Sequence, residues 1–357
     1  MGYSDTREAF LRLVRLGIGH SEISFIVKEW NSLKALAEQQ GLSAIVLDGV
    51  ESLPEQSRPP KEFLLQWIGE VLQTEAQYET QRKAAVEMAS LFERNYIRTY
   101  VLKGSVVSEC YPKPEHRVSS DLDCFLLPMQ GDFDAWDLGN DLVKSQGFEV
   151  EDIFYKNSTF SLPGLTVENH RFLTPFRGNK TLRNLELMLQ SMIRDDKVQD
   201  RIDGTCLYRP PVMVSSLFLI EHAYSHFLHE GLTWRHVLDW MMFSKKHQKD
   251  INWTEFDVFV DEFGFRKFYD SFSRLGKYLL GELQVSDLSK EEKKMLADVW
   301  APLDLHETVR GFKGKLALAG NTWRARWKYS YFTEMSWVTA LWIQVKGFLF
   351  EKNPKLD

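Results

Sequence analysis

Two carboxylates one residue apart, Asp121 and Asp123, sit at the start of an apolar run that ends Phe125-Leu126-Leu127. Side chains alternate along a strand, so both acids project to one face. Like charges placed there repel, and a divalent cation removes the objection; hard carboxylate oxygens suit Mg²⁺ or Mn²⁺. Upstream, Tyr100-Val101-Leu102 reads as a short strand that stops at Lys103-Gly104-Ser105, and Val106 to Cys110 as a short helix closed by Pro112 and Pro114. A strand feeding a helix start is a place where an anion is welcome. The plain alternative is a solvent-facing strand with two surface acids. The Gly-Ser helix start beside the acid pair turns the reading toward phosphoryl or nucleotidyl transfer.

The elements that must position these residues form an α+β chain, read as a small mixed sheet with helices and helical regions on either side. Residues 1–98 read as an N-terminal helical region: Ala9, Phe10, Leu13 and Val14 share one helix face, and Phe63 to Tyr96 make one or two helices. The run Ala44-Ile45-Val46-Leu47 fits either strand or helix. Residues 99–205 read as the catalytic core, with a helix over Phe133 to Ser145 and strand-like runs at Phe148–Tyr155, Thr159–Leu162 and Leu165–Leu173. The last run puts Glu168 and His170 on one face, and an antiparallel neighbour is expected to bring Glu168 back beside the acid pair. Residues 206–357 read as a C-terminal helical region.

Composition narrows the partners. A chain of 357 residues with 44% hydrophobic and 13% aromatic residues is long enough for two or three units with real cores. Its net charge of -6 offers no general attraction to a polyanion, which argues against long nucleic acid. The three cysteines, Cys110, Cys124 and Cys206, have neither disulfide-framework nor zinc spacing, and a reducing cytoplasm is the simplest compartment. No window is apolar enough for a transmembrane span.

The residues Leu102-Lys103-Gly104-Ser105, Tyr111-Pro112, Arg117, Ser120-Asp121-Leu122-Asp123 and Val167-Glu168-Asn169-His170 together resemble the DNA polymerase β-like nucleotidyltransferase superfamily. Within it the chain is most similar to the bacterial nucleotidyltransferase family of uncharacterised function. The likeness covers roughly residues 25 to 245 and includes Leu232-Thr233-Trp234-Arg235 leading to Asp239. The fifteen residues between Ser105 and Asp121 are more than the wider superfamily usually has.

The resemblance implies that Asp121 and Asp123 bind two metals, with Glu168 completing the site and activating an acceptor hydroxyl. Two cations about 3.5 to 4 Å apart suit in-line displacement of pyrophosphate. Nucleotide contacts are then expected at Gly104, Ser105, Lys103, Arg117 and Ser120. For Lys103 and Arg117, phosphate recognition competes with an ordinary solvated position; His170 either orients the carboxylate or an acceptor, or is a strand histidine bonded to a neighbour.

The implied substrates are a nucleoside triphosphate, ATP first among them, and an acceptor that the sequence does not name. The alternative is a nucleotide-binding regulatory module of the same fold without turnover.

Other features stay open. Arg171, Arg177, Lys180 and Arg183 either steer a nucleotide or decorate a solvated turn. His222, His226 and His229 follow helical spacing that raises a metal-centre reading against packing or lid duty. An aromatic stripe through Trp337, Leu341, Trp342, Val345, Phe348 and Phe350 suits helix packing or a membrane surface. Met1-Gly2 opens a short match to the N-myristoylation pattern.

Overall fold

Helix α1 (Tyr3–Gly17) lays Phe10, Leu13 and Val14 against α3 (Ser43–Glu51), and α2 (Trp30–Gln39) completes this layer. The ambiguous run Ala44 to Leu47 is thus helix, buried on almost every side. The long α4 (Lys61–Arg94) is one continuous helix and leads into the sheet. These assignments come from a computed structural model that describes residues 3–22, 25–153, 155–301, 325–333, 336–340 and 342. Gly2 and, in the aromatic stripe, Leu341, Val345, Phe348 and Phe350 lie outside the described residues.

The strands are β1 (Ile97–Val101), β2 (Asp121–Pro128), β3 (Val150–Ile153), β4 (Asn157–Leu162), β5 (Leu165–His170) and β6 (Leu207–Tyr208). They form a mixed sheet in the order β3-β4-β5-β2-β1-β6, which with its helical flanks makes an α+β fold. β1 pairs antiparallel with β2, and β6 pairs parallel with the outer edge of β1. Between β1 and β2 stands the single-turn α5 (Ser105–Ser108), entered through Gly104 at φ 68°, a backbone state that side chains disfavour.

The expected antiparallel approach of Glu168 is corrected by the topology: β5 runs parallel to β2. The chain leaves β2 through α6 (Ala135–Ser145), which crosses back so that β3 starts in the same direction as β2. The hairpin from β3 to β4 and the turn from β4 to β5 then reverse it twice. Asp134 caps α6 by accepting from the Asp137 amide. A buried polar knot keeps α6 against the sheet: Ser158 Oγ and Asn169 Nδ2 both donate to Asn140 Oδ1, at 2.8 and 2.9 Å. Asn169 therefore faces α6, and its neighbours Glu168 and His170 face the other way.

On that other face lie the later helices. α7 (Lys180–Arg194) is capped by Asn179, and α8 (Val212–His229) and α9 (Trp234–Lys246) follow the sheet. Then α10 (Trp253–Glu262), α11 (Arg266–Leu279), α12 (Lys290–Val299) and α13 (Arg326–Phe332) pack on them around Phe227, Trp234, Phe268 and Trp300. The core is continuous from α1 through the sheet to these helices. Among the described residues no helix is long and apolar enough to cross a membrane.

Candidate active site

Asp123 lies directly opposite Glu168 in the β2–β5 register, and Asp121 is one pleat earlier on the same face. The parallel pairing thus brings together the three acids that the sequence singled out. Asp123 is buried. Its Oδ1 accepts from His170 Nε2 at 2.9 Å, and its Oδ2 stands 3.0 Å from Lys103 Nζ as an ion pair without good hydrogen-bond geometry. His170 Nε2 is also 3.6 Å from Glu168 Oε2, which accepts from Asn157 Nδ2 at 3.1 Å.

The charge states follow from these neighbours. Burial pushes the Asp123 carboxyl up, but the Lys103 ammonium and the His170 imidazole outweigh it and hold the group well below the usual carboxylate range. Burial pulls His170 down, yet its bonds to Asp123 and Glu168 raise it above an ordinary histidine. The Asp121 carboxyl is raised, first by burial, against the pull of Lys103. His170 is thus a strand histidine hydrogen-bonded to Asp123, with Glu168 at ion-pair distance.

Asp121 and Glu168 open on a cavity of about 620 Å³, with Asp123 buried behind them, and this volume is within the roughly 300–1,000 Å³ of small-molecule sites. Lys103, Ser120, Asp121, Glu168 and His170 line it from the sheet side, and His222, Arg235 and His236 from α8 and α9. Gly104 and Ser105 instead line a smaller cleft against α4, next to Tyr78 and Gln81; Ser119 and Asp121 belong to both spaces. The Ser105 hydroxyl is buried with no hydrogen-bond partner.

Arg117 is no solvated cation: it is buried and held in a two-pronged pair with Asp239 of α9, while its Nη1 has no partner and the residue borders the large cavity. The Tyr111 hydroxyl donates to the same carboxylate at 2.7 Å. Lys103 is likewise no solvated cation, being mostly buried beside Asp123. Arg171 turns away to Asp134, Arg177 covers the Tyr155 ring, and neither they nor Lys180 and Arg183 line the large cavity.

The histidines regroup as well. His222 and His226 are joined by His236 of α9, whereas His229 bonds back to the Ser225 carbonyl. Ring nitrogens of these three lie within 4.8 Å of one another, a spacing that a metal could bridge. Two of the three are already engaged, however: His222 Nε2 meets Lys103 Nζ at 3.2 Å, and His236 Nδ1 accepts from the Thr233 amide at 3.1 Å. An ammonium at that distance repels a second cation, so the cluster reads as a hydrogen-bonding wall.

Sequence reasoning missed Glu221 and Arg235. Glu221 precedes His222, is buried, and has an Oε2 with no partner; burial pushes its carboxyl up to about 7. A lone acid in an apolar helical run was its only signal.

Residues 27–281 match the model of a family described as an uncharacterised nucleotidyltransferase. The chain belongs to that family. The matched stretch takes in the whole sheet and α8 to α11, reaching further than the likeness legible in the motifs, so the helical wall of the cavity is part of the family's architecture. No curated protein and no solved structure matches the chain.

Proposed function

We propose that this nucleotidyltransferase-family protein moves a nucleoside monophosphate group from a nucleoside triphosphate, ATP first among them, to a hydroxyl, phosphate or protein side chain. The observation that carries the reading is the Asp123–Glu168 register with Asp121 on the same face, opening on a cavity of substrate size. In the reaction an acceptor oxygen bonds to the α-phosphorus, the bond to the bridging oxygen breaks, and pyrophosphate leaves.

The donor set fits Mg²⁺ or Mn²⁺: hard oxygens from Asp121, Asp123 and Glu168, including the buried Asp123 Oδ2 that lacks a hydrogen bond. Bound there, two such ions would neutralise charge on the reacting phosphate.

The chain's own residues do the rest. Glu168, open to the cavity, is positioned to orient the acceptor and take its proton. His170 bonding keeps that carboxyl below its ordinary value, so Glu168 relies on placement more than on basicity. Ser105 and the start of α5 offer a neutral hydroxyl and amides to phosphate oxygens from the smaller cleft.

One observation favours a second reading, a nucleotide-binding module without turnover. Asp123 is already neutralised on both oxygens, by His170 and Lys103. Incubation with each labelled nucleoside triphosphate, Mg²⁺ or Mn²⁺ and an acceptor extract, beside Asp121→Asn, separates the two. Pyrophosphate released by the wild type and not by the variant supports transfer. Metal-dependent binding without release supports the module, and neither binding nor release defeats both.

A further inference from the structure

Arg235, the second residue of α9, projects into the large cavity that Asp121 and Glu168 also line. Among the described residues its guanidinium makes one hydrogen bond, Nη1 to the Val118 carbonyl at 2.7 Å, and no ion pair. Arg117 differs in charge pairing: two of its nitrogens are held by the Asp239 carboxylate, although its Nη1 has no partner. Burial and the nearby positive charge of Arg117 both pull Arg235 below an ordinary arginine. A guanidinium so placed keeps unspent donors and, among the described residues, has no carboxylate within ion-pair distance, although Asp239 and Asp121 act on it from further off.

Its placement is fixed from three sides. Thr233 caps α9 reciprocally with His236, and the Trp234 amide donates to Gln40 Oε1 at 2.7 Å, which ties the helix start to the end of α2. Gly41 follows at φ 67°, and a Cβ added there would stand 3.3 Å from both Cδ and Nε of Arg235. The bare backbone of Gly41 therefore leaves the channel through which the arginine stem reaches the cavity.

We propose that Arg235 binds phosphate oxygens of the substrate in this cavity, the role that the sequence reading gave to Arg117. The inference deepens the nucleotidyl-transfer reading and rests on it for the substrate class. The planar fork offers two parallel donors to a phosphate, and an anion supplies the counter-charge that Arg235 lacks. The phosphate belongs either to the nucleoside triphosphate or to a phosphorylated acceptor.

Calorimetric titration of the full chain and of Arg235→Gln with Mg-ATP, and with inorganic phosphate at saturating Mg-ATP, tests this. The variant is expected to lose about tenfold in affinity, the scale of a charge-assisted bidentate contact, with its melting temperature kept. Loss toward Mg-ATP assigns Arg235 to the donor's phosphates; loss toward inorganic phosphate alone assigns it to the acceptor. Equal affinity of both proteins for both probes overturns the proposal, as does a wild type that binds neither. A wild type that ignores every nucleoside triphosphate defeats nucleotidyl transfer; inorganic phosphate, titrated alone, still tests Arg235 there. Should Arg235→Gln not fold, Arg235→Lys carries the same comparison, since it keeps the charge and loses the fork.

Discussion

Arg117 and Asp239 meet face to face: Nε donates to Oδ1 at 2.8 Å and Nη2 to Oδ2 at 2.7 Å, with both side chains buried. This pair joins the loop before β2 to α9, so it couples the acid-bearing strand to the helix that carries Arg235. Asp239→Asn leaves a guanidinium buried without its counter-charge and should cost about 3–5 kcal/mol of unfolding free energy. Urea titration measures it, and the double change Arg117→Met with Asp239→Leu should recover part of the loss. A single variant as stable as wild type would remove the pair from its structural role.

On the proposed reading, Lys103 should compete with a metal for Asp123. Replacing it by methionine keeps the stem and removes a positive charge 3.0 Å from Oδ2. Mn²⁺ should then bind about tenfold more tightly in the absence of nucleotide, the order expected for deleting a like charge at a partly buried site. Unchanged Mn²⁺ affinity in the Lys103→Met variant would show that the ammonium does not guard the carboxylate.

Glu221 should make stability fall with pH. Burial raises its folded pKa to about 7 from an ordinary 4.5, so the folded state holds a proton that the unfolded chain releases between those values. Stability from this group is therefore greatest below pH 4.5, declines to about pH 7 and is flat above. Glu221→Gln removes the decline and should be more stable than wild type at pH 8, on the order of 3 kcal/mol at 1.36 kcal/mol per unit. Parallel stability-versus-pH curves for the two proteins would contradict this.

His116 should act in the same sense at higher pH. It bridges Asp48 of α3 at 2.6 Å and Glu75 of α4 at 2.8 Å, and these bonds raise its pKa above 6.5 although burial pulls it down. A raised histidine stabilises fully below the unfolded value of 6.5, and that contribution disappears as pH rises through the folded value. His116→Gln should lower the urea midpoint at pH 6 and have much less effect at pH 9. An equal loss at both pH values would place the contribution in packing instead of charge.

What the sequence determined by itself was local. A period of two puts Asp121 beside Asp123 and Glu168 beside His170 on their faces, and Gly104 between an apolar strand and a short helix marks the turn. Apolar helical spacing announced the flanking helices, and the α+β class follows from the order of these elements. The tertiary structure alone decided what meets across the chain.

That β5 runs parallel to β2 depends on a crossover and two reversals, whose net direction no local pattern encodes. The two-residue β6 is too short for its own periodicity, and it is a strand only because β1 offers it an edge. Arg117 and Arg235 are the same residue type at flanks of the same site, and nothing in their neighbours separates them. A carboxylate 122 positions away pairs with Arg117, while Arg235 has no ion pair among the described residues, so the difference between two arginines that border one cavity is a property of packing.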